Sequence, residues 1–307
     1  MPLTFLMGFI EGKYLHMCHN IDNVISIDDS KYPKLLKKID DPPEKLYFKG
    51  NWDNLLFKNC LTVVGSRRMT TYGKTITNQL VTQIASSGIT IVSGFMYGID
   101  AQAHQATVDI GKKTIAVMPC GVDIIHPAHQ KTLYEQILEN NGLIISELES
   151  THPPAIWTYP KRNRIMAGLS SATLVVEAAE KSGTLITAQF AKKYKRKLFA
   201  VPGPLTSKIS IGTAKLIKQG AEIVTQAEDI LKFYRVKKSL QPEDKTAHLK
   251  QLEGLERKII DELEHESLEI DTLSRILNLP VSELGKTLSL MELKGILFKE
   301  RGKYHVN

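Results

Sequence analysis

The stretch "LTVVGSRRMTTYGKT" (61–75) contains the features that determine the fold class. An uninterrupted apolar run ends at Gly65, and a polar segment suited to a helix follows it. Such a run predicts a strand that is buried on both faces, as in a parallel sheet. Glycine allows a sharp turn at the carboxyl end of this strand, which is the edge where open α/β sheets bind ligands.

The same strand–loop–helix unit recurs along the chain. It predicts strands at 61–64, 89–92, 114–118, 143–146, 173–176 and 197–201, with a short one near 221–224. Helices are predicted between them, near 72–87, 99–110, 129–140, 162–169, 183–195 and 212–219. This alternation predicts an α/β fold with an extended Rossmann-like, doubly wound, mostly parallel sheet.

Composition predicts four segments. Three helices at 255–263, 270–277 and 281–293, followed by a small hairpin, are typical of a winged helix. The predicted order is an N-terminal lead-in (1–57) without a core of its own, a Rossmann-like domain (58–235), a polar linker (236–252) and a small C-terminal winged-helix domain (253–307).

Charge is distributed unevenly between these segments. The 307 residues include 40 basic and 33 acidic ones, a net charge of +7. Residues 236–307 contain 12 basic and 13 acidic residues, which leaves 28 and 20, a net of +8, in residues 1–235. A polyanionic partner is therefore expected at the N-terminal part, and the winged helix is not expected to be a strong duplex binder.

Cysteine usage and hydropathy indicate the compartment. Cys18, Cys60 and Cys120 are far apart and form no CxxC pair, which argues against a disulfide framework and fits a reducing cytoplasm. No apolar run approaches the 18 residues of a membrane span, and no basic segment precedes the apolar N-terminus as in a secretory signal. We therefore expect a cytoplasmic protein that has no membrane partner.

Two further strand-to-helix loops carry small residues. "SGFMYGIDAQAH" (93–104) follows the second strand, and "VVEAAEKSGTLITAQFA" (175–191) places Ser182, Gly183 and Thr184 at a helix start, where free amides bind anions. Asp100 and His104 have the spacing of a general-base pair, but no nucleophile motif accompanies them. A helix-capping role for Asp100 and a structural hydrogen bond for His104 are therefore predicted.

The stretch "YPKRNRIMAGLS" (159–170) combines cations with aromatic rings. Lys161, Arg162 and Arg164 follow closely on Trp157 and Tyr159. Cations at a helix start oppose the helix dipole, so a purely structural role is disfavoured. Basic groups interleaved with aromatic ones suit single-stranded nucleic acid, because the cations contact phosphates and the rings stack on bases.

Cofactor and metal motifs are incomplete. "GKT" (73–75) lacks the first glycine of a P-loop, since Arg68 occupies that place, and no GxGxxG is present. We expect neither P-loop ATP hydrolysis nor a cofactor. His126 and His129, with Asp123 nearby, leave zinc as a minority alternative, and no metal is expected.

Taken together and in this order, the segments resemble the DNA-processing protein A family, also called Smf. The resemblance covers roughly residues 30–225 and includes "CGVDIIHP" (120–127), "FAVPG" (199–203) and "GTAKLIKQGA" (212–221) besides the segments quoted above. It implies a cytoplasmic protein that is not an enzyme. The implied function is to bind and protect single-stranded DNA in natural transformation and recombination, to help load the RecA recombinase, and to act as a homodimer through the Rossmann-like domain.

The resemblance also implies a DNA site. That site comprises Gly65, Ser66, Arg67, Ser93, Gly94, Lys161, Arg162, Asn163, Arg164, Ser182, Gly183 and Thr184. Met96 and Tyr159 depart from the residues common in the family, a small residue and a phenylalanine.

Two other functional classes stay open. A related Rossmann subgroup resembles nucleotide N-glycosidic hydrolases with a "PGGxGTxxE" loop, of which this chain keeps Gly183 and Thr184 but neither the paired glycines nor the following glutamate. The third class is a transcription regulator that senses a nucleotide and reads DNA with residues 255–307. The acidic tail argues against it.

Overall fold

A computed structural model describes residues 23–236, 254–293, 296–300 and 302–306. Contacts divide the chain into two compact units, Met1–Ser239 and Leu240–Asn307. We call their described parts the α/β unit and the winged-helix unit. The first 22 residues of the predicted lead-in and nearly all of the predicted linker (236–252) lie outside the described residues, so the predicted domain limits stay predictions.

The α/β unit contains the alternating elements that the sequence predicts. Its strands are β1 (Val24–Ser26), β2 (Lys45–Gly50), β3 (Cys60–Val64), β4 (Thr90–Ser93), β5 (Thr114–Val117), β6 (Leu143–Ser146), β7 (Ala172–Val175), β8 (Lys197–Ala200) and β9 (Glu222–Ile223). Its helices are α1 (Thr71–Ser86), α2 (Ile99–Val108), α3 (Lys131–Glu139), α4 (Thr158–Leu169), α5 (Thr184–Lys193), α6 (Ile211–Lys218) and α7 (Ala227–Tyr234).

The nine described strands form one sheet in the order β1-β2-β6-β5-β4-β3-β7-β8-β9. All neighbours from β6 to β9 are parallel, and only the β1–β2 and β2–β6 pairs are antiparallel. The chain winds outward from β3 to β6 and then returns to place β7 on the other side of β3. The prediction of a doubly wound, mostly parallel sheet is confirmed.

Helices cover both faces of this sheet. Helices α7, α1, α2 and α3 contact one another in series on one face, while α4, α5 and α6 share the core on the other. All residues of β3, β5, β6 and β7 are buried, which is why these strands are apolar without alternation. Among the described residues, no helix combines the length and the apolar character required to cross a bilayer.

The N-terminal segment differs from its prediction as an irregular lead-in. Strand β2 pairs along β6 and β1 pairs along β2, so this segment extends the sheet. Leu36 and Leu46 are fully buried in the same core as α4. Neither strand is continuously apolar, because both are only partly buried at the edge of the sheet, and the paired prolines Pro42 and Pro43 between them suggested irregular structure.

The winged-helix unit has three helices and a small sheet. Its helices are α8 (Leu255–His265), α9 (Ile270–Leu277) and α10 (Val281–Leu293), and its strands are β10 (Leu268–Glu269), β11 (Leu297–Glu300) and β12 (Lys303–Val306). The strands pair antiparallel in the order β10-β12-β11. Ile259, Leu273 and Leu288 are fully buried in a separate core. The predicted helix and hairpin order is confirmed.

Candidate nucleic-acid interface

The candidate site lies where the winding of the sheet reverses. Strands β3 and β7 are parallel neighbours, yet the chain leaves them in opposite directions across the sheet. The loops after their carboxyl ends therefore diverge and leave a crevice, which is the usual ligand site of open α/β sheets. The loop that follows β3, the loop after β4 and the starts of α4 and α5 all meet there.

The loop after β3 is joined directly to the start of α5. Thr184 Oγ1 donates a hydrogen bond of 2.9 Å to the carbonyl oxygen of Gly65. Ser182 Oγ accepts from the Thr184 amide at 3.2 Å. Two loops about 120 residues apart in sequence, predicted separately as anion sites, thus form one surface. Gly183 is exposed beside them and Ser66 is half-buried.

The start of α2 supports the other side of the same loop. The Ile99 amide donates to the carbonyl oxygen of Ser66 at 3.2 Å. Gly98 has a φ of 73°, and a β-carbon there would overlap the Ser66 carbonyl and press on the backbone of Arg67. Glycine is needed at this position for both its conformation and its close approach.

Ser93 and Gly94 lie beneath the surface. Both are buried, and Ser93 Oγ donates to the carbonyl oxygen of Val63 at 2.7 Å. A β-carbon on Gly94 would overlap the guanidinium of Arg162 and lie against the carboxylate of Asp100. These two predicted site residues therefore shape the floor of the crevice.

Helix α4 directs its basic residues to different surroundings. Arg162 is buried, and its Nη1 donates to the carbonyl oxygen of Val117 at 2.5 Å. Arg164 is also buried, with Nη2 at 2.5 Å from Glu147 Oε2 and Nε at 3.2 Å from Asp41 Oδ2. Arg162 thus belongs to the crevice floor, whereas Arg164 links α4 to acidic residues of two other segments.

Lys161 is the exposed cation at the start of α4. Its Nζ lies 5.7 Å from the ring centroid of Trp157 and 3.6 Å from Glu147 Oε2. The lysine side chain keeps 45% of its surface exposed, so the pair with Glu147 leaves it accessible. Asn163 is half-buried in the same helix.

Arg67 is the exposed cation of the loop after β3. Its guanidinium carbon lies 5.2 Å from the ring centroid of Tyr159. The Tyr159 hydroxyl and His126 Nε2 are hydrogen-bonded at 2.8 Å. Burial lowers the pKa of His126, and the charge of Arg67 lowers it further. The hydrogen bond to His126 thus fixes the Tyr159 ring over which Arg67 lies.

The carboxyl of Asp100 and the guanidinium of Arg162 are both buried under the loop after β3. Burial raises the pKa of Asp100 to about 6, although Arg162, Arg67 and hydrogen bonds from Ser93 and the Gly65 backbone lower it. Burial likewise lowers the pKa of Arg162 to about 10, against the effect of Asp100. Asp100 lies in the first turn of α2, but its carboxyl accepts from the Gly65 backbone, so it supports the loop after β3 instead of taking the helix-capping role that the sequence predicts.

His104 takes the structural role that the sequence predicts. It is fully buried, with Nδ1 at 2.8 Å from Thr114 Oγ1. Burial lowers its pKa to about 3, so the ring is neutral.

Glu177 is a site residue that the sequence reasoning missed. It is buried after β7, where its carboxylate accepts from the Thr70 amide at 3.1 Å and from Thr70 Oγ1 at 2.5 Å. Thr70 is the N-cap of α1, so Glu177 anchors the far end of the loop that carries Arg67. The sequence did contain a signal for this residue, a glutamate directly after the predicted strand 173–176.

The three residues of the zinc alternative have other partners. His126 is bonded to Tyr159, His129 is stacked on Tyr97, and Asp123 lies 2.5 Å from Lys49 Nζ. Within the described ranges, no three His, Cys, Asp or Glu side chains are grouped so that they could hold a metal ion.

Comparison with known proteins gives a consistent family. Residues 23–235 match the model of the family described as DNA recombination-mediator protein A, and residues 243–303 match the DprA winged helix domain. Protein Smf of Escherichia coli is 38% identical over 229 residues, which are 75% of this chain and 61% of that protein. The chain thus spans less than two thirds of the length of this relative.

Two solved structures are similar to this chain. The X-ray structure of DNA processing protein A from Streptococcus pneumoniae has a TM-score of 0.66 at 35% identity and covers 72% of this chain and 76% of that one. The protein of the same name from Helicobacter pylori has a TM-score of 0.62 at 31% identity, over 70% of this chain and 97% of that one. The latter structure is described as giving insights into that protein's single-stranded DNA binding mode.

Proposed function

This chain belongs to the DNA recombination-mediator protein A family, and from that premise we propose that its α/β unit binds single-stranded DNA in natural transformation and recombination. The Helicobacter pylori relative is described by a single-stranded DNA binding mode. The net charge of +8 in residues 1–235 of this chain fits the same ligand.

The observation that carries the proposal is the convergence of several strand-to-helix loops on one crevice, where exposed cations lie beside aromatic rings. Arg67 lies over Tyr159 and Lys161 over Trp157, and both rings belong to the start of α4. Trp157 is itself 53% exposed. Cations that contact phosphates beside rings that accept unstacked bases are the arrangement that suits a flexible single strand.

The predicted site residues divide into two roles in this proposal. The exposed Arg67, Lys161 and Gly183 contact the strand, together with the half-buried Ser66, Asn163, Ser182 and Thr184. The buried Gly65, Ser93, Gly94 and Arg162 hold the loops in place, and Arg164 fixes α4 through Glu147. The N-terminal end of the α5 dipole adds a partial positive charge that attracts a phosphate.

Selectivity for strand type tests the proposal. We expect single-stranded DNA to bind at least ~10-fold tighter than duplex of the same sequence, about 1.4 kcal/mol, because the rings require unpaired bases. Fluorescence anisotropy with matched labelled oligonucleotides at several salt concentrations measures this ratio. Equal affinity for the two at physiological salt would refute the proposal.

The wider role is proposed on the same premise. The protein would protect incoming strands in the cytoplasm, help load RecA onto them, and act as a homodimer through the α/β unit. Sizing of the protein alone and of its complex with single-stranded DNA tests the dimer, and RecA filament assembly with and without the protein tests loading. A monomer at all concentrations would contradict the dimer without affecting strand binding.

A non-enzymatic role is also proposed. Glu177 is the buried one of the two glutamates in the segment "VVEAAEKSGT" (175–184). Its oxygens already accept two hydrogen bonds from Thr70. This occupancy disfavours Glu177 as the acid of an N-glycosidic hydrolase. Release of free base from nucleoside monophosphates, measured with the purified protein, would support the hydrolase instead, and duplex preference would support the transcription regulator.

A further inference from the structure

We infer that a cavity beside Arg67, formed by α2 and the start of α3, is a nucleobase subsite in which Tyr97 stacks on one base of the bound strand. The cavity has a volume of about 340 Å³. This subsite deepens the proposed binding of single strands and rests on it.

The cavity is contiguous with the loop that carries the proposed phosphate contact. Gly98, one of its lining residues, packs against the backbone of Ser66 and Arg67 so closely that a β-carbon would overlap it. Met69, two residues beyond Arg67, lines the cavity as well. A strand whose phosphate is held at Arg67 therefore has an adjacent base within reach of this space.

The cavity offers an aromatic platform with one free face. Tyr97 stacks on His129, with ring centroids 5.0 Å apart and planes inclined by 18°. Tyr97 is nevertheless 46% exposed. One face of its ring is thus covered by the imidazole, which orients the ring and leaves the other face for a base.

The polar lining suits a base edge better than a phosphate. None of the lining residues is Lys, Arg, Asp or Glu, and besides Tyr97 and His129 the polar side chains are three amides and a hydroxyl: Gln102, Gln105, Gln130 and Thr132. Glutamine amides donate to and accept from the edges of bases, whereas a phosphate site requires cations or several free amides.

Two aromatic rings lie near the loop that carries Arg67. Tyr159 lies under the guanidinium and is bonded to His126. Tyr97 precedes Gly98, which packs on the Arg67 backbone, and is stacked on His129. The strand would thus have a second ring near the phosphate held at Arg67.

A comparison of the affinities for a base-bearing and an abasic strand distinguishes binding at this subsite from binding to the rest of the surface. The probes are a labelled thymidine homopolymer on the order of 20 nucleotides long and an abasic phosphodiester of equal length. We expect Tyr97→Ala to weaken thymidine binding about 10-fold, the size of one lost stacking contact. We expect it to leave abasic binding and the salt slope unchanged, because no phosphate contact is removed.

A companion variant tests whether the ring face of Tyr97 accounts for the loss. Tyr97→Phe keeps the ring face and should bind thymidine within about twofold of the wild type.

The matched control is Phe298→Ala in the other unit. Phe298 stacks on His305 at 4.8 Å with planes inclined by 14°, and it is 38% exposed. Its loss should not change thymidine binding. An equal loss in Phe298→Ala, or wild-type thymidine binding in a folded Tyr97→Ala, would overturn the subsite alone. A wild-type protein without preference for single strands would remove the proposed function and the subsite together.

Discussion

The two units of this protein carry the same local pairs of side chains in different settings. In the α/β unit Tyr97 stacks on His129, and in the winged-helix unit Phe298 stacks on His305. Each unit also holds a lysine over an aromatic ring, Lys161 over Trp157 and Lys299 over Tyr304. Pairs of this kind therefore do not distinguish a nucleic-acid site from an ordinary surface.

The two units differ in the backbone arrangement and in the net charge around these pairs. In the α/β unit, loops that follow different parallel strands converge on one crevice, as the hydrogen bond from Thr184 to Gly65 shows. In the winged-helix unit, the pairs lie on a single hairpin. The net charge is +8 over residues 1–235 and −1 over residues 236–307. Convergent backbone and excess positive charge, rather than any one pair, make the α/β unit the proposed DNA-binding part.

The largest expected difference between the units concerns stability and pH. Burial raises the pKa of Asp100 from its ordinary value of 3.8 to about 6 in the folded chain. Between these pH values the folded state keeps a proton that the unfolded chain has released, so this group makes stability fall as pH rises from about 4 to about 6. We expect Asp100→Asn to remove this fall and to raise the stability of the α/β unit at pH 7 by up to about 3 kcal/mol.

Urea unfolding of both proteins at pH 4, 5, 6 and 7 checks this expectation. The control is Asp271→Asn, which changes an exposed carboxylate in the first turn of α9 and should alter stability by less than about 1 kcal/mol. Parallel stability curves for wild type and Asp100→Asn across this range would show that Asp100 is not held as a weak acid.

Removal of one exposed cation from each unit should have unequal effects on DNA binding. Arg67→Ala should weaken single-strand binding by about tenfold or more, because a charge-assisted contact is worth about 1.5–3 kcal/mol. It should flatten the salt slope by about 0.7. Lys161→Ala should flatten it equally but cost less affinity, because lysine does not bind phosphate bidentately.

The matched control for these variants is Lys299→Ala, which we expect to bind as the wild type does. The measurement is the logarithm of affinity against the logarithm of salt concentration for each protein. Unchanged slopes in both Arg67→Ala and Lys161→Ala, with melting temperatures intact, would place the DNA elsewhere on the molecule.

Addition of one methyl group to a glycine should affect the units in opposite directions. A β-carbon on Gly94 would overlap the buried Arg162 guanidinium, so Gly94→Ala should destabilise the α/β unit by about 1–3 kcal/mol. The nearest atom to a β-carbon on Gly285, within α10, is 3.8 Å away. Gly285→Ala should therefore stabilise the winged-helix unit by about 0.5–1 kcal/mol. Thermal unfolding followed by circular dichroism measures both, and a Gly94→Ala protein as stable as the wild type would contradict the close packing of the crevice floor.

Removal of the winged-helix unit should have the smallest effect on DNA binding. We expect a chain that ends near Val236 to fold and to keep its single-strand affinity within about tenfold, 1.4 kcal/mol. The reason is that every residue of the proposed site remains. A greater loss in the anisotropy titration would mean that the winged-helix unit forms part of the DNA site.

The sequence determined the central sheet because its strands are buried on both faces. The resulting apolar runs, such as the one that ends at Gly65, depend only on local composition, and all six predicted central strands are observed within one or two residues. The antiparallel strands β1 and β2 escaped prediction because they are only partly buried, so their sequences contain no continuous apolar run. Helix α7 was also missed.

The sequence likewise identified the loops of the candidate site, since each follows a predicted strand and carries small or basic residues. Which of those residues face outward was decided by the tertiary structure. The sequence alone does not distinguish the surroundings of the three cations Lys161, Arg162 and Arg164. Successive helix residues point in directions about 100° apart, and only the position of the sheet determines which of these directions is buried. Arg162 is consequently enclosed near Asp100, while Lys161 remains at the surface. The stack of Tyr97 on His129 is likewise a product of chain packing, because no local pattern relates residues 32 positions apart.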